Sequence, residues 1–268
     1  MPRLGKLGGD PKPNSRLAEI GELGAIRLFR ELLASRPGNS AARPLIGIGD
    51  DAAVWQPTPG HAAIETTDLL IEEVHFSLRW FSWYEAGWKA MAVNVSDLAA
   101  MGGRPLAAFV SVGLKPDMGA DEVLQLYTGL ADCADEYQLG ILGGDTVTSP
   151  TAAVINVALF GQTLDRGNDV LRRDRARPGD AIAVSGPLGA AAGFLRLQAD
   201  ELRPAQVHPR PRVSLGQALL RAGCRCAMDL SDGLLADLGK LCSASGVAAG
   251  IDAARVPLAP AVERLLPA

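Results

Sequence analysis

Aspartate residues stand in apolar, glycine-rich surroundings at several points along the chain, where an unpaired carboxylate is costly. Asp50 and Asp51 are adjacent in the run LIGIGDDAAVW, residues 45–55, with Ile48 and Val54 close by. Because neighbouring carboxylates repel and the burial of either is unfavourable, this run predicts a bound cation, most simply a metal ion. A single Gly-Asp-Asp is more often an ordinary turn, so one such run decides little.

The same setting recurs at four further carboxylate sites, one inside a predicted helix that is apolar on nearly every side and three at the ends of predicted strands. The sites are Asp97 in the helix Glu85–Met101, Asp68 after the strand His61–Glu65 and Thr66-Thr67, Asp145 after the strand Gly140–Leu142 and Gly143-Gly144, and Asp229 with Asp232 in DLSDGL at the end of the strand Cys226–Asp229. Five such sites in one chain favour a shared binding function over five independent turns.

Oxygen ligands without clustered histidine or cysteine select hard cations, and Mg²⁺ typically sits between a few carboxylates and substrate phosphates. The three histidines and four cysteines are scattered and lack the spacing of a zinc site. A nucleotide or another polyphosphate is therefore the expected ligand. The chain has no Walker A motif, kinase-type glycine loop or Rossmann fingerprint, so the common nucleotide folds are not supported.

The composition and the distribution of charge limit the kinds of partner that this chain can be expected to bind. The 268 residues carry a net charge of -4, and the basic residues are spread out except in an arginine-rich run at 166–177, which disfavours nucleic acid as the partner. That run is equally compatible with a solvated connector and with a phosphate clamp. No apolar run reaches the roughly 18 residues that cross a bilayer, and residues 1–16 are too polar for a signal peptide. We therefore expect no membrane association and a cytoplasmic location.

Strand and helix patterns alternate, which predicts an α/β or α+β fold in two domains. Residues 1–17 are expected to form a flexible N-terminal arm, residues 18–164 a first domain and residues 165–268 a second, with the arginine-rich run at the junction. The predicted helices cover about 18–36, 85–101, 120–138, 189–199, 213–222 and 234–245; the predicted strands cover 61–65, 105–114, 140–142, 152–162, 181–185, 226–229 and 249–253.

Five blocks carry a resemblance to a known family: GIGDDAAV (47–54), TTDLLIEEVHF (66–76), KAMAVNVSDLAAMGGRP (89–105), LGGDT (142–146) and DLSDGL (229–234). In these blocks, and in their order, the chain resembles the thiamine-monophosphate kinases, within the aminoimidazole-ribonucleotide-synthetase-like ATP-binding superfamily. The resemblance implies a two-domain synthetase-like fold, with a mixed sheet and helices in a dimerising first domain and an α/β sandwich in the second. It also implies transfer of the γ-phosphate of ATP to thiamine phosphate, assisted by several Mg²⁺ ions, to give thiamine diphosphate.

The resemblance further implies roles for individual residues. The magnesium ligands would be Asp51, Thr66, Thr67, Asp68, Asp97, Asp145, Asp229 and Asp232. ATP would be contacted by Gly144, Asp145, Arg173 and Ser231, and thiamine phosphate by His75. Because the acceptor is a phosphate oxygen already ionised at neutral pH, no strong general base is expected.

The family continues past this sequence with a GGEDYE-like block that helps to hold the acceptor. We therefore expect an incomplete second domain and weak binding of thiamine phosphate. The family also implies a homodimer, with the strands Pro105–Leu114 and Ala152–Gln162 as candidate interface, although strands buried within one subunit would look the same. Two alternatives remain open: a non-catalytic nucleotide-binding relative, and another synthetase of the superfamily, such as aminoimidazole ribonucleotide synthetase.

Overall fold

The computed structural model describes residues 15–36, 45, 48, 52–53 and 55–265. Asp50 and Asp51 lie outside that part of the chain. The helices and strands are, in chain order, α1 Leu17–Ala34, β1 Ala63–Ile71, α2 Trp83–Ala100, β2 Arg104–Leu114, α3 Ala120–Glu136, β3 Gly140–Thr148, β4 Val154–Gln162, α4 Ala190–Leu197, α5 Arg203–Val207, α6 Val213–Arg221, α7 Leu234–Ser245 and α8 Pro260–Leu265, with 3₁₀ turns at Arg173–Arg175, Asp200–Leu202 and Ala253–Arg255.

Four of these strands form one mixed sheet in the order β1-β4-β2-β3. β1 and β2 both run antiparallel to β4, whereas β3 runs parallel to β2. Helix α3 lies between β2 and β3 in the chain and supplies the crossover that a parallel pair needs. β1 and β3 are therefore the two edges of the sheet, about 14 Å apart at the usual spacing between neighbouring strands.

Cross-strand register assigns each strand residue to one of two faces, because paired residues point to the same side. One row joins Leu70, Ile155, Val112 and Thr146, and the row beside it joins Leu69, Asn156, Ser111 and Asp145. The first row is covered by helices, and Tyr127 of α3 hydrogen-bonds to Thr146 on that face. We call this side the helix face and the other side the open face.

The main hydrophobic core lies between the helix face and α2 and α3. Helix α2 is buried over most of its length, as its all-round apolar sequence predicts, and Ser82 caps its first turn. α2 and α3 approach closely through Gly87 and Gly129, because a β-carbon at either position would overlap a carbonyl oxygen of the other helix. The open face carries a smaller apolar cluster that includes Leu106, Phe109 and Phe160.

The predicted mixture of helices and a mixed sheet is confirmed, but three strands predicted in the second half are wrong. Residues 181–185, 226–229 and 249–253 form no ladder with other described residues, although Cys226 makes an isolated parallel bridge with Arg172. A strand exists through its hydrogen-bonded neighbour, which a local apolar pattern does not supply. Among the described residues, most of the large hydrophobic side chains that are exposed lie between residues 182 and 251.

Two boundaries in the first half also differ from the prediction. β1 and β3 are longer than expected, so Thr66-Thr67-Asp68 and Gly143-Gly144-Asp145 lie inside strands and not after them. Pairing with the neighbouring strand extends both segments through their polar residues.

Residues 15–17 are not a free arm, because the Ser15 carbonyl accepts from the Ala120 N–H and the Leu17 N–H donates to the Met118 carbonyl. None of the described helices has the length and apolarity to cross a membrane.

Candidate active site

β1 and α2 bring two of the predicted ligands into direct contact. Alternation along β1 places Thr66 and Asp68 on the helix face, where α2 passes over them. The Thr66 hydroxyl donates to Asp97 Oδ2 at 2.6 Å. Asp97 lies in the last turn of α2 and is half-buried. The hydrogen bond therefore connects the block 66–76, which contains Thr66, with the block 89–105, which contains Asp97.

Asp229 reaches the same place from the second half of the chain. The Ser96 hydroxyl, next to Asp97 on α2, donates to Asp229 Oδ2 at 2.9 Å. Ser96 was not among the predicted site residues, although it lies inside the block KAMAVNVSDLAAMGGRP, residues 89–105. Its hydroxyl fixes the start of the turn 229–233 against the first half of the molecule.

Burial and neighbouring charges both act on the carboxylates of Asp68 and Asp97. Burial raises the pKa of Asp68, and repulsion by the Asp229 carboxylate raises it further, while His75 acts to lower it. Burial also raises the pKa of Asp97; the Thr66 hydrogen bond and Arg173 oppose this shift, and the charges of Asp229 and Asp68 add to it. A positive charge bound nearby would therefore favour the ionised form of both Asp68 and Asp97.

Within the described residues, no group of three His, Cys, Asp or Glu side chains is arranged to hold a metal ion by itself. Mg²⁺ commonly takes only one or two carboxylates and completes its octahedron with water and substrate phosphates. Asp68 and Asp97, two mutually repelling carboxylates beside the Thr66 hydroxyl, form an oxygen donor set of that kind. The described residues thus fit a magnesium ion that is shared with a phosphate ligand.

His75 belongs to a tight turn that follows β1. Its Nδ1 accepts the Ile71 N–H at 3.0 Å, which leaves the proton of the neutral ring on Nε2. Lys89 of α2 donates to the His75 carbonyl at 3.0 Å and lies over the Phe81 ring, and burial lowers the pKa of this ammonium. Lys89 was not among the predicted site residues, because its partner is a backbone carbonyl that no motif displays.

Arg173, Ser231 and Asp232 all belong to the second half of the chain, and of these three Arg173 acts on Asp97 through its charge. Arg173 is exposed in a 3₁₀ turn that the Ser245 hydroxyl anchors by donating to the Arg173 carbonyl, and its charge reaches Asp97. Ser231 and Asp232 are exposed in the turn before α7, where Asp232 Oδ2 accepts from Lys240 at 2.5 Å.

The remaining predicted residues do not join this group within one chain. Thr67 points to the open face, where its hydroxyl accepts from Asn156 at 2.9 Å. Gly144 and Asp145 lie on β3, at the opposite edge of the sheet from β1. Gly144 has a φ of 156°, and a β-carbon there would overlap the Val110 carbonyl oxygen, so glycine is required at this position. Asp51 lies outside the described residues.

The fold and this oxygen-rich site define the broad class of protein to which the chain belongs, and the comparison with a relative then defines its family. Residues 49–163, which contain the sheet with α2 and α3, match the family model described as AIR synthase related protein, N-terminal domain. The chain is also 35% identical, over 235 residues, to the thiamine-monophosphate kinase of Bacillus subtilis (strain 168), which covers 83% of this chain and 71% of that relative. The chain therefore belongs to the thiamine-monophosphate kinase family.

Solved structures agree with this membership. The thiamine-monophosphate kinase from Stenotrophomonas maltophilia K279a has a TM-score of 0.78 and 40% identity, covering 90% of this chain and 78% of that one. AaThiL complexed with AMPPCP and TMP has a TM-score of 0.64 and 31% identity, covering 87% of this chain and 72% of that one. The predicted family is confirmed.

Proposed function

We propose that this chain transfers the γ-phosphate of ATP to thiamine phosphate, giving thiamine diphosphate and ADP. The observation that carries the proposal is the convergence of Asp68, Asp97 and Asp229, from three separate elements, in a member of the thiamine-monophosphate kinase family. The relative complexed with AMPPCP, an ATP analogue, and TMP supports this pair of substrates.

The residues act by positioning and by charge. Asp68 and Asp97 would hold Mg²⁺, which supplies charge neutralisation for the phosphates when bound. Arg173 would donate to phosphate oxygens of ATP, since a guanidinium pairs well with that group. The acceptor phosphate oxygen is already ionised at neutral pH, so no residue has to remove a proton from it. His75, held by Ile71 and Lys89, would contact thiamine phosphate through Nε2, the ring nitrogen that is not bonded to Ile71.

We further propose a homodimer in which two sheets close into a barrel through their open faces. The apolar cluster around Phe109 and Phe160 supports burial of that face. If the twofold axis runs along such a barrel, the β3 edge of each subunit lies beside the β1 edge of the other. This arrangement would bring the partner's Asp145 to the β1 edge that carries Thr67 and Asp68, the edge that lies opposite Asp145 within one chain.

A coupled assay of ADP release, with chromatographic detection of thiamine diphosphate, tests the proposed reaction. We expect ADP and thiamine diphosphate to appear together, in equal amounts, only when ATP, Mg²⁺ and thiamine phosphate are all present. Unphosphorylated thiamine is the matched control acceptor, because it lacks the anionic oxygen that attacks. Nucleotide binding without any thiamine diphosphate would instead support the non-catalytic relative, and turnover of another acceptor alone would support a different synthetase of the superfamily.

A further inference from the structure

Asp237 of α7 is a fully buried carboxylate beneath the turn that carries Ser231 and Asp232. Its Oδ2 accepts two backbone N–H groups, those of Ser231 and Asp232, each at 2.9 Å. Its Oδ1 accepts the Lys240 ammonium at 2.8 Å. All of these partners lie within a few residues of the start of α7.

The Asp237 carboxylate has few alternatives to its present position, because three donors hold its two oxygens. Burial acts to raise the pKa of Asp237, but the Lys240 ammonium and the two N–H groups outweigh burial and hold the pKa below its usual value. The N–H groups of Ser231 and Asp232 precede α7 and have no carbonyl of that helix to bond. One buried anion therefore sets the direction of two successive peptide units.

The turn is thus held at both ends while its side chains stay exposed. Asp229 is tied to Ser96 of α2, and the peptides of Ser231 and Asp232 are tied to Asp237. Gly233, with a φ of 104°, completes the turn in a conformation that favours glycine. The side chains of Ser231 and Asp232 remain exposed above this frame.

We propose that Asp237 is a positioning residue for the binding of Mg²⁺-ATP. It touches neither the nucleotide nor the metal; it fixes the backbone from which Ser231 and Asp232 present their oxygens. The Lys240 ammonium contacts both the Asp237 carboxylate and the Asp232 carboxylate. The positions of these two aspartate side chains are therefore coupled through Lys240. This inference rests on the proposed function, because the Mg²⁺-ATP that Ser231 and Asp232 would contact is the substrate proposed there.

Asp237→Asn tests the proposal, because an amide group cannot accept two N–H bonds at one oxygen and a lysine at the other. We expect the Kd of Mg²⁺-AMPPCP, measured by calorimetry, to rise about tenfold or more, as is usual when a supporting residue behind a ligand is lost. The KM for ATP should rise in parallel, while the KM for thiamine phosphate stays near its wild-type value. Amide hydrogen exchange at Ser231 and Asp232 should become faster.

Glu72→Gln is the matched control. Glu72 is also a buried carboxylate, and it accepts a lysine, Lys115, at 2.7 Å and a backbone N–H, that of Ala153, at 2.9 Å. The control should lower the melting temperature to a similar extent as Asp237→Asn but leave the AMPPCP Kd unchanged. Equal weakening of AMPPCP binding in both variants would reduce Asp237 to a general structural role and overturn the proposal.

Asp237→Glu keeps the charge and the Lys240 contact but displaces the carboxylate oxygens. This variant tests the positioning role of Asp237 if Asp237→Asn does not fold. We expect weaker AMPPCP binding in this variant as well, and wild-type affinity would overturn the proposal. Failure of the wild-type chain to bind Mg²⁺-AMPPCP would refute the proposed function itself. Wild-type binding together with unchanged affinity in both Asp237 variants would refute only the present inference.

Discussion

Hydroxyl groups organise the acidic side chains of this site. Thr66 donates to Asp97 and Ser96 donates to Asp229, so these two carboxylates are held in place by neutral hydroxyl groups. A lysine or arginine in the same position would orient the carboxylate but would also neutralise it. Asp97 and Asp229 are therefore oriented without a lysine or arginine as hydrogen-bond partner, an arrangement that suits the proposed site for Mg²⁺ and phosphate.

Replacement of Asp97 by Asn tests this reading at the level of one residue. Burial and repulsion by Asp229 and Asp68 disfavour the charge of Asp97, whereas an amide oxygen can still accept from Thr66. We expect thermal stability to hold or rise, and phosphoryl transfer to fall by about 100-fold or more because a charge-stabilising group is lost. Calorimetry and the coupled assay measure the two effects.

The control for this experiment is Asp117→Asn, an exposed carboxylate in the loop before α3. It should change neither stability nor turnover. A marked loss of stability in Asp97→Asn with activity retained would show that Asp97 is a structural residue and that the metal assignment at α2 is mistaken.

Among the elements, the packing of α2 on α3 determines where Ser96 and Asp97 lie. The two helices cross with Gly87 and Gly129 at the contact, which allows their backbones to come closer than any side chain would permit. α2 is then sandwiched between α3 and β1, and its last turn is placed over Thr66.

The substitution Gly129→Ala has two opposing effects on the free energy of unfolding. Helix propensity alone would make alanine about 1 kcal/mol more favourable than glycine. A β-carbon at position 129 would overlap the Tyr84 carbonyl oxygen of α2, so we expect a net destabilisation of about 1–3 kcal/mol from overpacking. Denaturant unfolding measures the free energy of unfolding.

Gly239→Ala is the matched control for this substitution. Gly239 is exposed within α7, and a β-carbon there would meet no atom within 4 Å. Propensity then acts alone, and we expect a gain in stability of roughly 0.5–1 kcal/mol. Stabilisation by both substitutions would show that the helix crossing does not depend on glycine.

For the whole molecule, the separation of Asp68 and Asp145 is the main structural constraint on the proposed reaction. The two residues lie on opposite edge strands of one sheet, so a single chain does not bring them together. A barrel-forming dimer would make each site from β1 of one subunit and β3 of the other, and activity would then require two copies.

Mixing two inactive variants tests this arrangement. If each site combines the two subunits, a heterodimer of Asp68→Asn and Asp145→Asn contains one wholly native site, and random mixing should recover about a quarter of wild-type activity. Co-refolding of the purified variants, followed by light scattering and the coupled assay, measures both the dimer and the recovery.

The control pair is Asp68→Asn with Asp97→Asn. Asp68 shares a face of β1 with Thr66, the hydrogen-bond partner of Asp97, so both residues belong to the same side of one subunit and neither site of that heterodimer would be native. This mixture should stay inactive. Absence of recovery in the first pair, or a monomer at assay concentration, would refute the proposal of shared sites.

The sequence alone determined the local features of this protein. Helical periodicity predicted α2 as a buried helix and α3 as an amphipathic one, and the apolar runs 105–114 and 152–162 predicted β2 and β4 to within two residues. The acidic blocks and their order predicted the family, which the comparison with Bacillus subtilis confirmed. These properties depend on residues close together in the chain, and for that reason a linear pattern records them.

Only the tertiary structure decided which carboxylates meet. Asp97 and Asp145 look alike in sequence, each an aspartate in an apolar setting near glycines, yet α2 brings Asp97 to Thr66 while the strand order sends Asp145 to the far edge. The anchoring of Ser231 and Asp232 by Asp237 likewise follows from no sequence motif, because every residue except proline carries the backbone N–H group that Asp237 accepts. Contacts of this kind arise from packing between distant segments, and the free energy of that packing is not encoded in any one of them.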